Sequence, residues 1–417
     1  MTAQGTWGRV LAFVLANLMV APGQVYGAAD LDPGFGNGGR VITDVSGRYD
    51  EVRALAIEPD GQIVAAGVAG TGSTQDFALA RYNTDGALDH SFGVGGAVIT
   101  DFSGASDEAW AVAIQPDGKI VAAGVADGDF ALARYNADGS LDSQFGIGGK
   151  ITTDFGGDDR ANALALQRDG KIVAAGVAAR LDFALARFNA DGTLDATFGS
   201  EGNVRTDFSG KSDSAFAVTI QPDGMVVAAG STGAFPGGLF ALVRYDVDGS
   251  LDTTFGGGGK VTVDFGAHAG AYALAVQPDG KIVVEGFVDS GSSRDAALAR
   301  QNADGSLDRT FGVDGVVVTD FGGRNFGSAV AMQSDGKFVV AGFDDFPPYY
   351  DFTLAQYEVD GQIDVTFGRD GRILTEFEGN SWINAIAIQP DGKIVAAGYV
   401  RSSSGADFGL VRYANHR

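Results

Sequence analysis

Gln115-Pro116-Asp117-Gly118-Lys119-Ile120-Val121-Ala122-Ala123-Gly124 recurs with small variations seven times along a chain of 417 residues. Its Asp-Gly pairs begin at Asp60, Asp117, Asp169, Asp223, Asp279, Asp335 and Asp391, spaced 52 to 57 residues apart. A second element, Leu141-Asp142-x-x-Phe145-Gly146 in the same repeat, recurs from Leu31, Leu88, Leu194, Leu251, Leu307 and Ile363. Its first copy precedes the first Asp-Gly element, and nothing of its kind follows the last one. Each end therefore carries part of a unit, and the two parts make one whole. A period of this size means stacked or radially arranged units, none able to bury its own apolar face. Complementary ends mean closure into a ring.

Within the unit around Asp117, Trp110 to Gln115 reads as a strand rich in small and β-branched residues. Pro116-Asp117-Gly118 is a turn, Pro setting φ and Gly accepting a positive one. Lys119 to Gly124 returns as a second strand, Phe130 to Asn136 as a third and Lys150 to Phe155 as a fourth. No stretch shows a useful helical period. Four antiparallel strands per repeat of this length predict an all-β, seven-bladed propeller. A parallel β-helix has shorter coils and no need of complementary ends. The strand from Gly39 to Val45 should be the fourth of the last blade, closed onto the segment Phe408 to Tyr413.

The repeated Ala-x-Gln-Pro-Asp-Gly-Lys-Ile-Val-Ala-Ala-Gly, Phe-Ala-Leu-Ala-Arg-Tyr-Asn-Ala-Asp-Gly-Ser-Leu-Asp-x-x-Phe-Gly and Gly-Gly-Lys-Val-Thr-Thr-Asp-Phe segments resemble the bacterial delta-60 repeat family over residues 30 to 413. The resemblance implies a propeller domain of exported or surface bacterial proteins, often without an assigned activity, and supplies no catalytic residues. Arg168 and Ser334 in place of Pro, and Gln356 in place of Arg, depart from the pattern.

Residues 1–28 read as an export signal, leaving 29–417 as a single domain. Arg9 is the only charge before Asp30, Val10 to Val20 is apolar apart from Asn17, and Val25-Tyr26-Gly27 offers a small-residue cleavage pattern. That apolar run is too short for a bilayer span, which needs about 20 residues. With no cysteine in the chain, disulfides, thiol catalysis and cysteine metal sites are excluded. The formal charge of −24 opposes nucleic acid and anionic membranes. The expected location is periplasmic or extracellular, including the cell surface.

Two sets of repeated polar residues invite chemistry. The triples Asn83/Asp85/Asp89, Asn136/Asp138/Asp142, Asn189/Asp191/Asp195, Asp246/Asp248/Asp252, Asn302/Asp304/Asp308 and Glu358/Asp360/Asp364 could suggest calcium. Calcium wants six to eight oxygens, and the flanking Arg and Phe residues favour Asx-capped turns instead, so no cofactor is expected. Arg81, Arg134, Arg187, Arg244 and Arg300 each precede an acid by 20 residues (Asp101, Asp154, Asp207, Asp264, Asp320), with Gln356 and Glu376 changing together in the sixth repeat. Closure would match Arg412 with Asp44. This suggests repeated ion pairs between adjacent strands. The Leu-Asp acids, eight residues after each Arg, compete for the same partner.

Enzyme signals are thin. His90, His268 and His416 occupy unrelated repeat positions, and no nucleophile or phosphate-loop motif is present. Variation between blades is more informative. The residue before each inner strand is Arg53, Trp110, Asn162, Phe216, Tyr272, Ser328 or Asn384, and some second-to-third-strand loops carry Phe235, Phe346, Tyr349 and Tyr350. Both places share one face of the ring, opposite the constant Asp-Gly turns. Trp110, Phe216, Tyr272, Phe235, Phe346, Tyr349, Tyr350 and Trp382 are therefore the candidate ligand-binding residues. The leading expectation is an exported, non-catalytic module that binds a glycan, peptide or surface protein. The alternatives are a propeller-type hydrolase or lyase acting at the channel mouth, and a purely structural cell-surface module.

Overall fold

A computed structural model describes residues 30–414, apart from 103, 105, 179–181, 209–211, 234–237, 290, 292, 321–324, 347–348, 378 and 402–404. The proposed export segment thus lies outside the described residues. The described residues form twenty-eight strands in seven antiparallel four-stranded sheets. No helix among them is long and apolar enough to cross a membrane. Blade I comprises Asp50–Ile57, Ile63–Thr71, Thr74–Tyr82 and Ala97–Thr100, and blade II comprises Asp107–Ile114, Ile120–Ala126, Asp129–Tyr135 and Lys150–Thr153. Blades III to VI begin with the inner strands Arg160–Leu166, Asp213–Ile220, His268–Val276 and Asn325–Met332. Each inner strand touches the inner strands of both neighbours, all the way round, so these seven strands surround the axis.

Blade VII takes Ser381–Ile388, Ile394–Arg401 and Ala406–Tyr413 from one end of the chain and Arg40–Thr43 from the other. The register runs from Arg40 opposite Val411 to Thr43 opposite Phe408. This is the closure the split repeat predicts, and it removes an open sheet edge.

Seven apolar clusters fill the seams between blades, each drawing on two adjacent sheets. Alanines such as Ala122 and Ala123 are fully buried, as central strands packed on both faces require small side chains. A hydroxyl pair recurs between neighbouring sheets. The Tyr82 hydroxyl donates to Thr43 of the preceding blade at 3.0 Å, and Tyr135 donates to Thr100 at 2.9 Å. In blade V both partners have changed, to Gln301 and Val263.

The repeated arginines do not take the acids 20 residues on. Instead the Nε atoms of Arg81, Arg134, Arg187, Arg244, Arg300 and Arg412 donate to Asp89, Asp142, Asp195, Asp252, Asp308 and Asp32 at 2.6–2.9 Å. Sheet register explains the correction. Ala133 lies opposite Lys150 and Phe130 opposite Thr153, so Asp154 sits at the far end of the blade from Arg134. Closure likewise pairs Arg412 with Asp32 rather than Asp44. Each guanidinium also crosses the seam, donating to Ala137, Ala190, Val247, Ala303, Val359 or Thr84 carbonyl of the next blade. Phe92, Phe145, Phe198, Phe255, Phe311 and Phe35 lie beneath them, ring centroids 4.5–4.8 Å from Cζ.

The Asp-Gly turns dock beside this contact. Gly139 has φ +85, and a Cβ there would press on the Gly93 amide of the preceding blade at 2.8 Å, so only glycine fits. The Gly93 amide itself donates to the Asp138 carbonyl at 2.8 Å.

Opposing electrostatics act on the acids. The Ser91 hydroxyl and amide, with Arg81, hold the Asp89 carboxyl down to about 2. Lys171, Thr197 and Arg187 hold Asp195 below the usual carboxylate range against the pull of burial. Burial, reinforced by Asp320, pushes Asp295 up to about 6, and burial with Glu376 does the same to Asp351.

Three outcomes are expected. Deleting residues 30–45 should bare the edge of Ala406–Tyr413 and convert a monodisperse protein into aggregates on size-exclusion chromatography; an unchanged profile would contradict the closure. Asp142→Ala, which strands a buried guanidinium, should lower unfolding free energy by roughly 3–5 kcal/mol, whereas Asp154→Ala on the exposed rim should cost less than about 1 kcal/mol. Denaturant titration of both variants decides this, and the reverse order would restore the longer pairing. The raised groups contribute stability that is full below the ordinary 3.8 and is lost as pH rises through about 6. The lowered Asp89 contributes stability that is full above 3.8 and is lost as pH falls toward about 2. The thermal midpoint should therefore climb from pH 8 to about 5 and drop below about 4. The climb should shrink in the Asp295→Asn/Asp351→Asn double variant; an undiminished climb would assign it elsewhere.

Candidate functional site

Every blade breaks the pairing of its inner and second strands at the same place. The register shifts between Val52 and Ala54, Ala109 and Ala111, Ala161 and Ala163, Ala215 and Ala217, Ala271 and Ala273, Gly327 and Ala329, and Ile383 and Ala385. The extra residue is Arg53, Trp110, Asn162, Phe216, Tyr272, Ser328 or Asn384, the variable series noted in the sequence. These residues lie inside the inner strands as β-bulges, not before them. The cause is the glycine of Ala-Ala-Gly. A Cβ on Gly67, Gly124, Gly176, Gly230, Gly286 or Gly398 would overlap the carbonyl oxygen of Glu51, Glu108, Arg160, Ser214, Gly270 or Trp382. Glycine is needed there for close backbone approach, which lets the opposite strand bulge. Bulges re-aim side chains and are frequent beside functional sites.

Around the ring these side chains form three groups. In blades I to III, Trp110 lies between two guanidinium groups, Arg53 at 3.7 Å and Arg160 at 4.5 Å from ring to Cζ. Arg53 pairs with Glu108 at 2.5 Å and with Glu51 at 3.4 Å, and Trp110 Nε1 donates to Glu108 at 3.2 Å. Arg160 donates to Asn162 Oδ1 at 2.6 Å and makes no ion pair among the described residues. Burial lowers its pKa, with the Arg53 charge acting the same way and Glu108 opposing. In blades IV and V, Phe216 meets Tyr272 edge-on at 5.3 Å and Tyr272 stacks on Phe287 at 5.5 Å. In blades VI and VII, Trp382 packs on Phe343 at 3.5 Å and near Tyr350 at 6.1 Å. Asn162 and Asn384 donate across their seams to the Ala215 and Val52 carbonyls at 2.7 and 2.8 Å.

The eight candidate residues are thus only partly brought together. Trp110, Phe216, Tyr272, Trp382 and Tyr350 are half-buried and fall into the three groups above. Phe346 and Tyr349 face each other in backbone pairing at the end of a strand pair in blade VI. Phe235 lies outside the described residues. Sequence reasoning missed Glu51, Glu108, Arg160, Phe287 and Phe343. One signal was available: the residues two before each bulge (Glu51, Glu108, Arg160, Ser214, Gly270, Phe326, Trp382) vary as much as the bulged ones.

The histidines do not gather. His90 is exposed and lies 3.1 Å from the Gly95 carbonyl, while His268 Nδ1 accepts from the Gly238 amide at 3.0 Å at the start of an inner strand. His416 is outside the described residues. In the Asn-x-Asp-Gly turns, Asp138 Oδ1 accepts from the Ser140 amide and hydroxyl at 2.9 and 2.6 Å, and Asp142 faces Arg134 and Lys119. Asp138 Oδ1 and the Asp142 carboxylate thus have protein donors.

A family model for the "Domain of unknown function (DUF5122) beta-propeller" matches residues 58–92, 115–145, 167–198, 221–255, 277–311, 333–367 and 389–415. The chain belongs to this β-propeller family. A search of curated proteins finds no match. Virginiamycin B lyase from Staphylococcus aureus, in a catalytically inactive form with quinupristin, shares 10% identity over 89% of this chain and 98% of its own, with a TM-score of 0.55. Sqt1 from Chaetomium thermophilum, bound to the N-terminus of ribosomal protein L10, shares 13% over 89% and 98%, with a TM-score of 0.51. A protein from Lactobacillus plantarum shares 15% over 83% and 98%, with a TM-score of 0.51. At these identities the likeness is one of fold.

Proposed function

We propose that this protein is an exported, non-catalytic propeller module that binds a glycan, peptide or surface protein at the ring of bulged inner-strand residues. One observation carries the reading: seven bulges at one register present six different residue types on an otherwise repetitive scaffold. Beyond the bulges the inner strands return to uniform aliphatics, namely Leu55, Val112, Leu164, Val218, Leu274, Val330 and Ile386. Uniform packing needs no such variety, whereas recognition does.

The ring has two chemical characters. Glu51, Arg53, Glu108, Trp110 and Arg160 offer charge and hydrogen bonds, and Arg160 makes no ion pair among the described residues. Phe216, Tyr272 and Phe287 offer stacking surface. A ligand with hydroxyl, amide or acidic groups beside an apolar face suits both halves. Binding ranks above catalysis because Glu51 and Glu108 are engaged by Arg53. The strongly negative chain argues against nucleic acid as the partner.

A glycan and peptide array should return a ligand. By calorimetry, Trp110→Ala and Tyr272→Ala should each weaken it about tenfold or more, the scale of a binding hot spot. Circular dichroism should show both variants folded. Unchanged affinity in folded variants would return these rings to packing and favour the structural module.

A further inference from the structure

The acids released from the expected arginine pairs have another setting. At the seam between blades I and II, Asp76 lies near the start of the third strand Thr74–Tyr82, Asp101 follows the outer strand of the same blade, and Asp107 begins the next inner strand. One carboxylate oxygen from each lies within 4.8 Å of the others. The same trio recurs as Asp129/Asp154/Asp159, Asp182/Asp207/Asp213 and, across the closing seam, Asp44/Asp50/Asp407. Three carboxylates at such range repel strongly unless a cation or protons intervene. Among the described residues no basic side chain pairs with these three carboxylates. Lys150 approaches only the Asp101 backbone carbonyl, at 2.9 Å.

The second observation is Asp107 itself. It is fully buried, its Oδ2 accepts from the Phe102 amide at 2.7 Å, and its Oδ1 has no hydrogen-bond partner. A buried carboxylate oxygen left without a donor is costly. Burial, together with the charges of Asp76 and Asp101, raises the Asp107 carboxyl above its ordinary range. Where the set is broken it loses its third acid or more. The later seams hold Leu239/Asp264/Ala269, Asp295/Asp320/Asn325 and Asp351/Glu376/Ser381. In each, Ala269, Asn325 or Ser381 stands where Asp107 and its equivalents stand.

We propose that Asp76, Asp101 and Asp107 bind a calcium ion that ties blade I to blade II. Oxygens on opposite sides of one calcium ion stand about 4.8 Å apart, twice a metal–oxygen distance of about 2.4 Å, so all three can touch it together. An all-carboxylate set selects a hard cation over zinc or copper. Oxygens spread over three separate elements suit the adaptable shell of calcium better than the strict octahedron of magnesium. The ion satisfies the orphaned Asp107 oxygen and neutralises the trio. This site is distinct from the Asn-x-Asp-Gly turns, which lie at the opposite ends of the strands.

The test uses the full chain stripped of divalent ions with EDTA and titrated with calcium chloride by calorimetry. Calcium should bind and raise the thermal midpoint. Asp101 is exposed, so Asp101→Asn should fold, and it should lower the stoichiometry by one equivalent. Asp138→Asn, in a turn, should leave the stoichiometry unchanged. Calcium binding that survives Asp101→Asn at full stoichiometry, loss on Asp138→Asn instead, preference for magnesium, or no heat and no thermal shift at saturating calcium would each overturn the assignment.

Discussion

The arginine that crosses six of the seven seams is the contact on which the ring depends. One buried guanidinium meets the carboxylate of its own Leu-Asp element, the carbonyl of the next blade's turn and the ring of its own Phe-Gly element. It therefore fixes the angle of one blade to the next while sealing the end of the seam. A buried ion pair is weak evidence for net stability, because desolvation offsets much of the attraction. Its value here is geometric. A small error in blade angle, repeated seven times, would leave the ring open. Shared carbonyl and glycine contacts on the same face leave little freedom for that error.

The opposite face obeys a different constraint. Because Gly124 and its equivalents admit the neighbouring carbonyl, each inner strand gains one residue without losing its pairing on either side. The fold can then hold the sheets constant while the bulged position changes freely. Backbone compactness on one strand supplies side-chain variety on the other. This separates scaffold from site within a single repeat, and it places the variable residues on rigid strands rather than on loops.

The architecture was legible in the sequence because period, turn chemistry and complementary ends all pointed the same way. The ion pairs were not, although their register was in principle derivable. Spacings of 8 and 20 residues are equally constant, and repetition alone cannot choose between them. Counting back from the hairpin formed by Phe130 and Thr153 shows that Asp154 must sit opposite Asp129, far from Arg134. The bulge was hidden for another reason. The glycine that permits it has an ordinary negative-φ role in no turn, so in sequence it looked like one more small residue of a close-packed strand. The candidate aromatics were found individually, but their partners Arg160, Phe287 and Phe343 come from neighbouring positions that a single-column comparison does not reach.

Departures from the repeat show that the seam, not the blade, is the unit the sequence specifies. Glu285 stands where six other blades have Ala, fully buried with neither oxygen hydrogen-bonded, and burial lifts its carboxyl well above the usual range. It is accommodated because the facing blade has Gly327, where a Cβ would collide with that carboxyl. Gln301 replaces the seam tyrosine where Val263 of the preceding blade replaces its threonine. Gln356 replaces the seam arginine in blade VI and turns to Gln333 instead, while Lys337 takes Asp364 at 2.5 Å. Blade VII, which Gln356 faces, draws its third and fourth strands from opposite ends of the chain and so lacks the Asp-Gly turn whose carbonyl the other arginines reach. Each of these three changes has its counterpart in the neighbouring sheet. A change read within one blade looks like decay of the repeat; read across the seam it is a change of contact.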